Sequence, residues 1–132
     1  MAAAIAALVQ LWPMRFPDDP QRVITVYWTH ECGCAAPWMR QLRDAGYEVR
    51  DFEQDSLIWR RRALRVPASI HGCHTAAYLG YFVEGHVEPA ILQRLFAERP
   101  AAAGISYIPT AQAAGAEALR LYSDRGDSRR WQ

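Results

Sequence analysis

The chain has no lysine and no asparagine, only three cysteines and three methionines, and almost no excess charge of either sign. Its fifteen basic residues are therefore all arginine, and alongside abundant alanine this bias reads as codon composition rather than function. A formal net charge of +1 leaves no case for nucleic acid or an anionic membrane surface as partner. The one basic cluster, Arg60-Arg61-Arg62 with Arg65, reads as a solvated helix face. No apolar run is long enough to cross a bilayer; the longest at the N-terminus, Ala2 to Leu11, falls well short. That run has no basic residue before it and no small-x-small cleavage site after it, so it lacks the pattern of a secretory signal. Also missing are a nucleophile–base–orienter triad, a phosphate loop and a carboxylate pair. A Cys-His protease is disfavoured because nothing marks an oxyanion hole. An enzyme is thus the less favoured class.

At 132 residues the chain is long enough for one domain that buries roughly two thirds of its unfolded surface. Such a core needs neither disulfide nor metal, so three cysteines are more than stability requires. Their odd number also argues against a simple disulfide framework: one thiol stays free, or all three serve one centre. Two of them stand one residue apart, Cys32-Gly33-Cys34, where an apolar strand gives way to a helix. The third is followed at once by histidine, Cys73-His74. A strand-to-helix turn presents both sulfurs on one side of a sheet, and a helix start favours thiolates over thiols.

Residues 1–22 read as a separate apolar segment and proline-rich linker, and residues 23–132 as the folded domain. The segment suits an extra helix packed on the domain or on a second copy of the chain; a degraded signal or a disordered tail are the alternatives. Val23 to Trp28 is β-branched and aromatic, hence a buried strand. Ala35 to Ala45 reads as a helix, with Pro37 in its first turn, Trp38, Leu42 and Ala45 on one stripe, and Gly46 to end it. Tyr47 to Phe52 alternates as a second strand. Asp55 or Ser56 can cap a short helix through Leu64, with Leu57, Ile58 and Leu64 inward. Val66-Pro67 breaks that helix. Thr75 to Leu79 and Tyr81 to Val83 form a hairpin about Gly80, and Pro89 to Arg99 is a helix with Ile91, Leu92, Leu95 and Phe96 on one side. A last hairpin joins Ala118–Tyr122 to Arg129–Trp131. This order predicts a thioredoxin-like α/β fold, with a central mixed sheet of about four strands, flanking helices and a C-terminal hairpin. In such a fold the first helix's N-terminus lies beside the loop before the third strand, so Cys32, Cys34 and Cys73 can share one site.

A C-x-C pair chelates well, because both thiolates reach one ion and Gly33 lets the backbone fold around it. As an internal disulfide the pair is less comfortable, since two residues hold the Cα atoms near the upper limit. Three sulfurs suit Cu(I), or Zn(II) if His74 or His86 adds a fourth ligand. Strand geometry points successive side chains to opposite faces, so Cys73 and His74 compete for the site unless the backbone kinks there. The alternative role for His74 is a hydrogen bond that braces the hairpin; for His86 it is satisfying turn backbone groups. His30 is a candidate to support the site from behind, and Trp38, Tyr78 and Tyr81 read as core.

The motifs C-G-C-x-x-x-W (Cys32 to Trp38), V-P (Val66-Pro67), C-H-T-A (Cys73 to Ala76), G-Y-x-V-E-G-H-V (Gly80 to Val87) and L-x-A-E-R-P (Leu95 to Pro100) resemble the domain of unknown function 411 family. These are small bacterial, CopG-like metal-binding proteins linked to copper resistance. Over residues 23–109 the resemblance implies a thioredoxin-like fold, copper held by cysteines from both motifs, and a periplasmic location that the N-terminal segment does not itself support. The family's C-G-C-C is here broken by Ala35, which reduces a four-thiol site to three. Its P-G-M-P and P-G-M-E stretches are replaced by Pro109-Thr110-Ala111 and Gly115-Ala116-Glu117, and the proline after G-H-V is displaced to Pro89 by Glu88. The expectation is a Cu(I)-binding protein using Cys32, Cys34 and Cys73 with His74 or His86 as auxiliaries, serving copper buffering, transfer or resistance. A copper-handling protein or a second copy of the chain is the partner class. The competing readings are a thiol–disulfide oxidoreductase and a diverged paralogue with an interaction role.

Overall fold

The computed structural model describes residues 19–132. The predicted N-terminal helix, Met1 and Met14 lie outside them. A 3-10 turn, Pro20–Arg22, leads into β1 (Val23–Thr29). The elements then run α1 (Ala35–Asp44), β2 (Glu48–Gln54), α2 (Ile58–Leu64), β3 (His74–Tyr78), β4 (Tyr81–Gly85), α3 (Pro89–Glu98), β5 (Gly104–Tyr107), β6 (Leu119–Tyr122) and β7 (Ser128–Arg130).

Among the described residues all strands join one sheet in the order β2-β1-β3-β4-β5-β6-β7. Strand β1 pairs parallel with β2 and antiparallel with β3, and β3 pairs antiparallel with β4. That quartet, with α1 and α3, is the thioredoxin-like arrangement. The sheet has seven strands rather than the expected four. Strand β5, which the sequence pattern does not announce, adds parallel to β4 and carries the C-terminal hairpin β6–β7 into the same sheet. Two glycines make this addition possible. A Cβ on Gly104 would sit 2.2 Å from the Phe82 ring, and one on Gly85 would sit 2.1 Å from the Tyr107 carbonyl oxygen. Gly85 also holds φ at +79°, which other residues rarely adopt.

The local chemistry explains the elements. Ile24 and Val26 of β1 are fully buried at the sheet centre, and α1 covers them with Trp38, Met39 and Leu42. Gly46, at φ +91°, ends α1 while its N–H bonds the Arg43 carbonyl. Leu79 and Gly80 both have positive φ, the backbone of a two-residue type I′ turn, and this closes the β3–β4 hairpin where expected.

Other expectations change on packing. Ile58 is 65% exposed rather than inward, because inward packing here falls to buried Leu57, just before α2, and half-buried Leu64; Leu57, not Asp55 or Ser56, is the N-cap, although the Ser56 hydroxyl accepts from the Ile58 N–H at 3.3 Å. Phe96 is exposed too, leaving Leu92 and Leu95 to seat α3. Strand β2 starts at Glu48 and lies at the sheet edge, so Phe52 is half exposed despite its alternating pattern. No helix among the described residues is long and apolar enough to cross a membrane.

Candidate metal centre

Residues 29–34 form the turn between β1 and α1. The Cys32 N–H bonds the Thr29 carbonyl at 2.9 Å and the Gly33 N–H bonds that of Glu31 at 3.1 Å, so the chain curls before the helix begins. Cys34 lies immediately before α1, and Cys32 sits buried beneath it. From the other side, Thr29 holds the Cys73 carbonyl through its N–H at 3.0 Å and its hydroxyl at 3.3 Å. This cross-link brings the second cysteine motif to the first.

The three sulfurs meet. Cys32 and Cys73 are joined as a disulfide, while Cys34 is free, with its Sγ 3.6 Å from that of Cys32 and 3.5 Å from that of Cys73. Two histidines also approach Cys34. The Cys34 Sγ and one ring nitrogen each from His74 and His86 lie within 4.8 Å of one another. Two donor trios therefore share a single sulfur.

Cys73 and His74 do not compete for the site, because strand alternation applies only from His74, the first residue of β3; Cys73 still belongs to the irregular loop. Nor does the His74 side chain brace the hairpin. Its Nε2 is buried with no hydrogen-bond partner, and its ring stacks on Trp38 at a centroid distance of 5.0 Å. Trp38 is itself anchored by its Nε1–H, which donates to the Val87 carbonyl at 2.9 Å. His86, just past β4, lies exposed 5.3 Å from the His74 ring and 6.2 Å from that of Trp38. His30 is exposed, pairs with Glu53 at 3.0 Å and belongs to neither donor trio.

Residues that the sequence does not mark as functional hold the loop in place. Arg61, expected on a solvated helix face, turns inward and forks onto the fully buried Glu84 carboxylate at 3.2 Å. The same guanidinium donates to the carbonyls of Gly72 at 2.9 Å and His74 at 3.1 Å, gripping Cys73 on both flanks. Thr75 donates its hydroxyl to the same carboxylate. The only sequence signal is an acid inside an otherwise apolar strand, Tyr81–Gly85, since a buried charge demands a partner. Burial raises the Glu84 carboxyl above its ordinary range, while the Arg61 and Thr75 hydrogen bonds pull it back.

The His74 imidazole is pushed down to about 4, first by burial and then by the charges of His86 and Arg61. A base held below its ordinary 6.5 binds fewer protons folded than unfolded, so its contribution is intact above that value and lost as pH falls toward 4. We expect the metal-free protein to lose about 3 kcal/mol of stability from this group across that window, at about 1.4 kcal/mol for each pH unit between the folded and unfolded values. Glu84 works in the opposite sense, so urea unfolding of wild type against His74→Gln at both ends of the window isolates the effect. Equal pH slopes in the two proteins would refute it.

The donor chemistry fits a soft or borderline ion. Thiolate and neutral imidazole are the ligands that Cu(I) and Zn(II) prefer, and a neutral imidazole offers one ring nitrogen with a free electron pair, a role open to the buried, unpartnered Nε2 of His74. A cavity of about 390 Å³ beside the site, lined by Cys34, Cys73, His74, Glu84, His86 and Tyr107 among others, gives access from solvent.

Comparison with known proteins follows the same lines. Residues 70–111, which include Cys73, His74, Glu84 and His86, match the model of a protein family of unknown function, DUF411. The fold is similar to two solved chains titled copper resistance protein copG. Form 1 gives a TM-score of 0.68 and Form 2 a TM-score of 0.67, both at 26% identity, covering 82% of this chain and 93% and 94% of theirs. No curated protein matches the chain.

Proposed function

We propose, from the premise that this chain is a DUF411 protein of the CopG-like kind, that it is a small copper-binding protein. In the reduced chain, Cys32, Cys34 and Cys73 hold Cu(I) as three thiolates, with His74 or His86 as auxiliary ligand. Its role is copper buffering, transfer or resistance, and no turnover is required. The observation that carries this reading is the convergence of three sulfurs from two distant segments on one point. Likeness to chains titled for copper resistance selects copper among the soft ions. The Cys32–Cys73 disulfide is the oxidised form, and an external thiol must reduce it by two electrons to two thiolates, itself becoming a disulfide, before all three sulfurs can bind. His74 fits the auxiliary role because it is neutral over the working pH range and needs no deprotonation. Thiolates do, so affinity weakens as pH falls.

The test is a competition titration of the fully reduced protein with a chromophoric Cu(I) chelator. We expect one Cu(I) per chain bound well below micromolar, with weaker binding at lower pH. Affinity no better than micromolar would reject the reading.

One observation favours a second reading, thiol–disulfide exchange: a closed Cys32–Cys73 disulfide with a free Cys34 thiol beside it. If exchange is the function, mild oxidation of the reduced protein must regenerate a disulfide through Cys73. Peptide mapping that finds three free thiols would exclude it.

A further inference from the structure

We propose that the disulfide-bonded chain keeps a second metal site, formed by Cys34, His74 and His86, for a single divalent ion of borderline softness such as Zn(II). The proposal extends the copper-binding reading and rests on it for the place of metal binding, though not for the metal or for the redox state. Oxidation to the Cys32–Cys73 disulfide removes two sulfurs as thiolate donors. It leaves Cys34 free and solvent-accessible. What remains is one sulfur and two imidazoles, a donor set that suits Zn(II) or Co(II) with a water in the fourth position.

The spacing supports this. The three donor atoms already lie within 4.8 Å of one another. Ligands around a tetrahedral ion at ordinary Zn–S and Zn–N lengths are roughly 3.3–3.8 Å apart, so small rotations of exposed Cys34 and exposed His86 complete the site. His74 needs less adjustment, since Trp38 stacks on its ring and β3 holds its backbone. Its Nε2, buried without a partner, is a second and independent mark of a missing ligand. A buried polar atom without a partner is unfavourable, and a bound ion would supply one. Glu84 does not compete as a ligand, because Arg61 and Thr75 occupy its carboxylate.

Co(II) is the probe. The full-length protein is oxidised, shown by thiol titration to retain one free thiol, and titrated with Co(II) alone. We expect one Co(II) per chain with tetrahedral ligand-field bands and a thiolate-to-cobalt charge-transfer band. Cys34→Ser should abolish the charge-transfer band, and His74→Ala should weaken binding at least tenfold. The Cys32→Ser/Cys73→Ser variant, which has no three-thiolate site, should keep both signatures; should it not fold, oxidised wild type against Cys34→Ser decides. No Co(II) binding by the oxidised protein, a charge-transfer band surviving Cys34→Ser, or peptide mapping that places Cys34 in the disulfide would each overturn the proposal. Failure of the copper reading is read separately, from Cu(I) affinity of the reduced wild type.

Discussion

Cys34→Ser should cost the reduced protein roughly two hundred- to several thousandfold in Cu(I) affinity. Metal binding in thiolate-rich sites is worth about 10–16 kcal/mol in total, so one of three equal sulfurs carries roughly 3–5 kcal/mol, and each 1.4 kcal/mol is tenfold. The geometry adds an asymmetry to that figure. Cys32→Ser and Cys73→Ser each spoil the sulfur trio but leave Cys34, His74 and His86 intact. Only Cys34 belongs to both groupings, so only its loss should weaken metal binding in the reduced and oxidised protein alike. Chelator competition on the three single variants provides the comparison. A Cys34→Ser protein within threefold of wild type would show that this sulfur, although central, is not a ligand.

Arg61→Ala should destabilise the fold by about 3 kcal/mol. Breaking a buried ion pair leaves its partner charged and unsolvated, at a cost of about 3–5 kcal/mol, and the 18% exposure of the Arg61 side chain puts this case at the lower end. Without the guanidinium, nothing but Thr75 offsets the burial of Glu84. Its carboxyl then rises further above the unfolded value, and the folded state binds more protons than the unfolded one between the two. Stability of the variant is accordingly lost as pH rises through that window and partly recovered on acidification. The contrast is Arg65→Ala, whose partner Asp124 is 70% exposed, and which should change stability by less than about 1 kcal/mol. Urea midpoints at unchanged m-value measure both. An Arg61→Ala midpoint indistinguishable from that of Arg65→Ala would remove Arg61 from any structural role.

Those two arginines show where the sequence was readable and where it was not. Both belong to one short basic run, and nothing local separates the residue that turns inward from the one that does not. The difference lies in Glu84, twenty-three positions beyond Arg61 and brought near it only when α2 packs against the sheet. The parts that were legible rest on short-range physics: β-branched residues in β1, an apolar stripe on α1, glycine at a type I′ turn. Strand β5 was not legible, because Gly-Ile-Ser-Tyr has no alternation long enough to register and becomes a strand through its pairing on both sides. The candidate site stood out through residue type, since cysteine pairs and Cys-His are rare enough to notice. Its geometry did not. That Cys73 precedes the strand by one residue, which frees both it and His74 to reach Cys34, depends on where β3 begins.

The ends of the sheet bear on how the molecule behaves at high concentration. Among the described residues its open borders are β2 and β7, and both are charged: Glu48, Arg50, Asp51 and Glu53 on one, Arg129 and Arg130 on the other. Unpaired backbone groups along such borders invite strand-by-strand growth into aggregates, and charged side chains are a usual safeguard against it. The extra strands beyond β4 thus do more than enlarge the sheet. They move one border away from the apolar Tyr81-Phe82-Val83 run to a short arginine-bearing one, which favours solubility when many copies accumulate together.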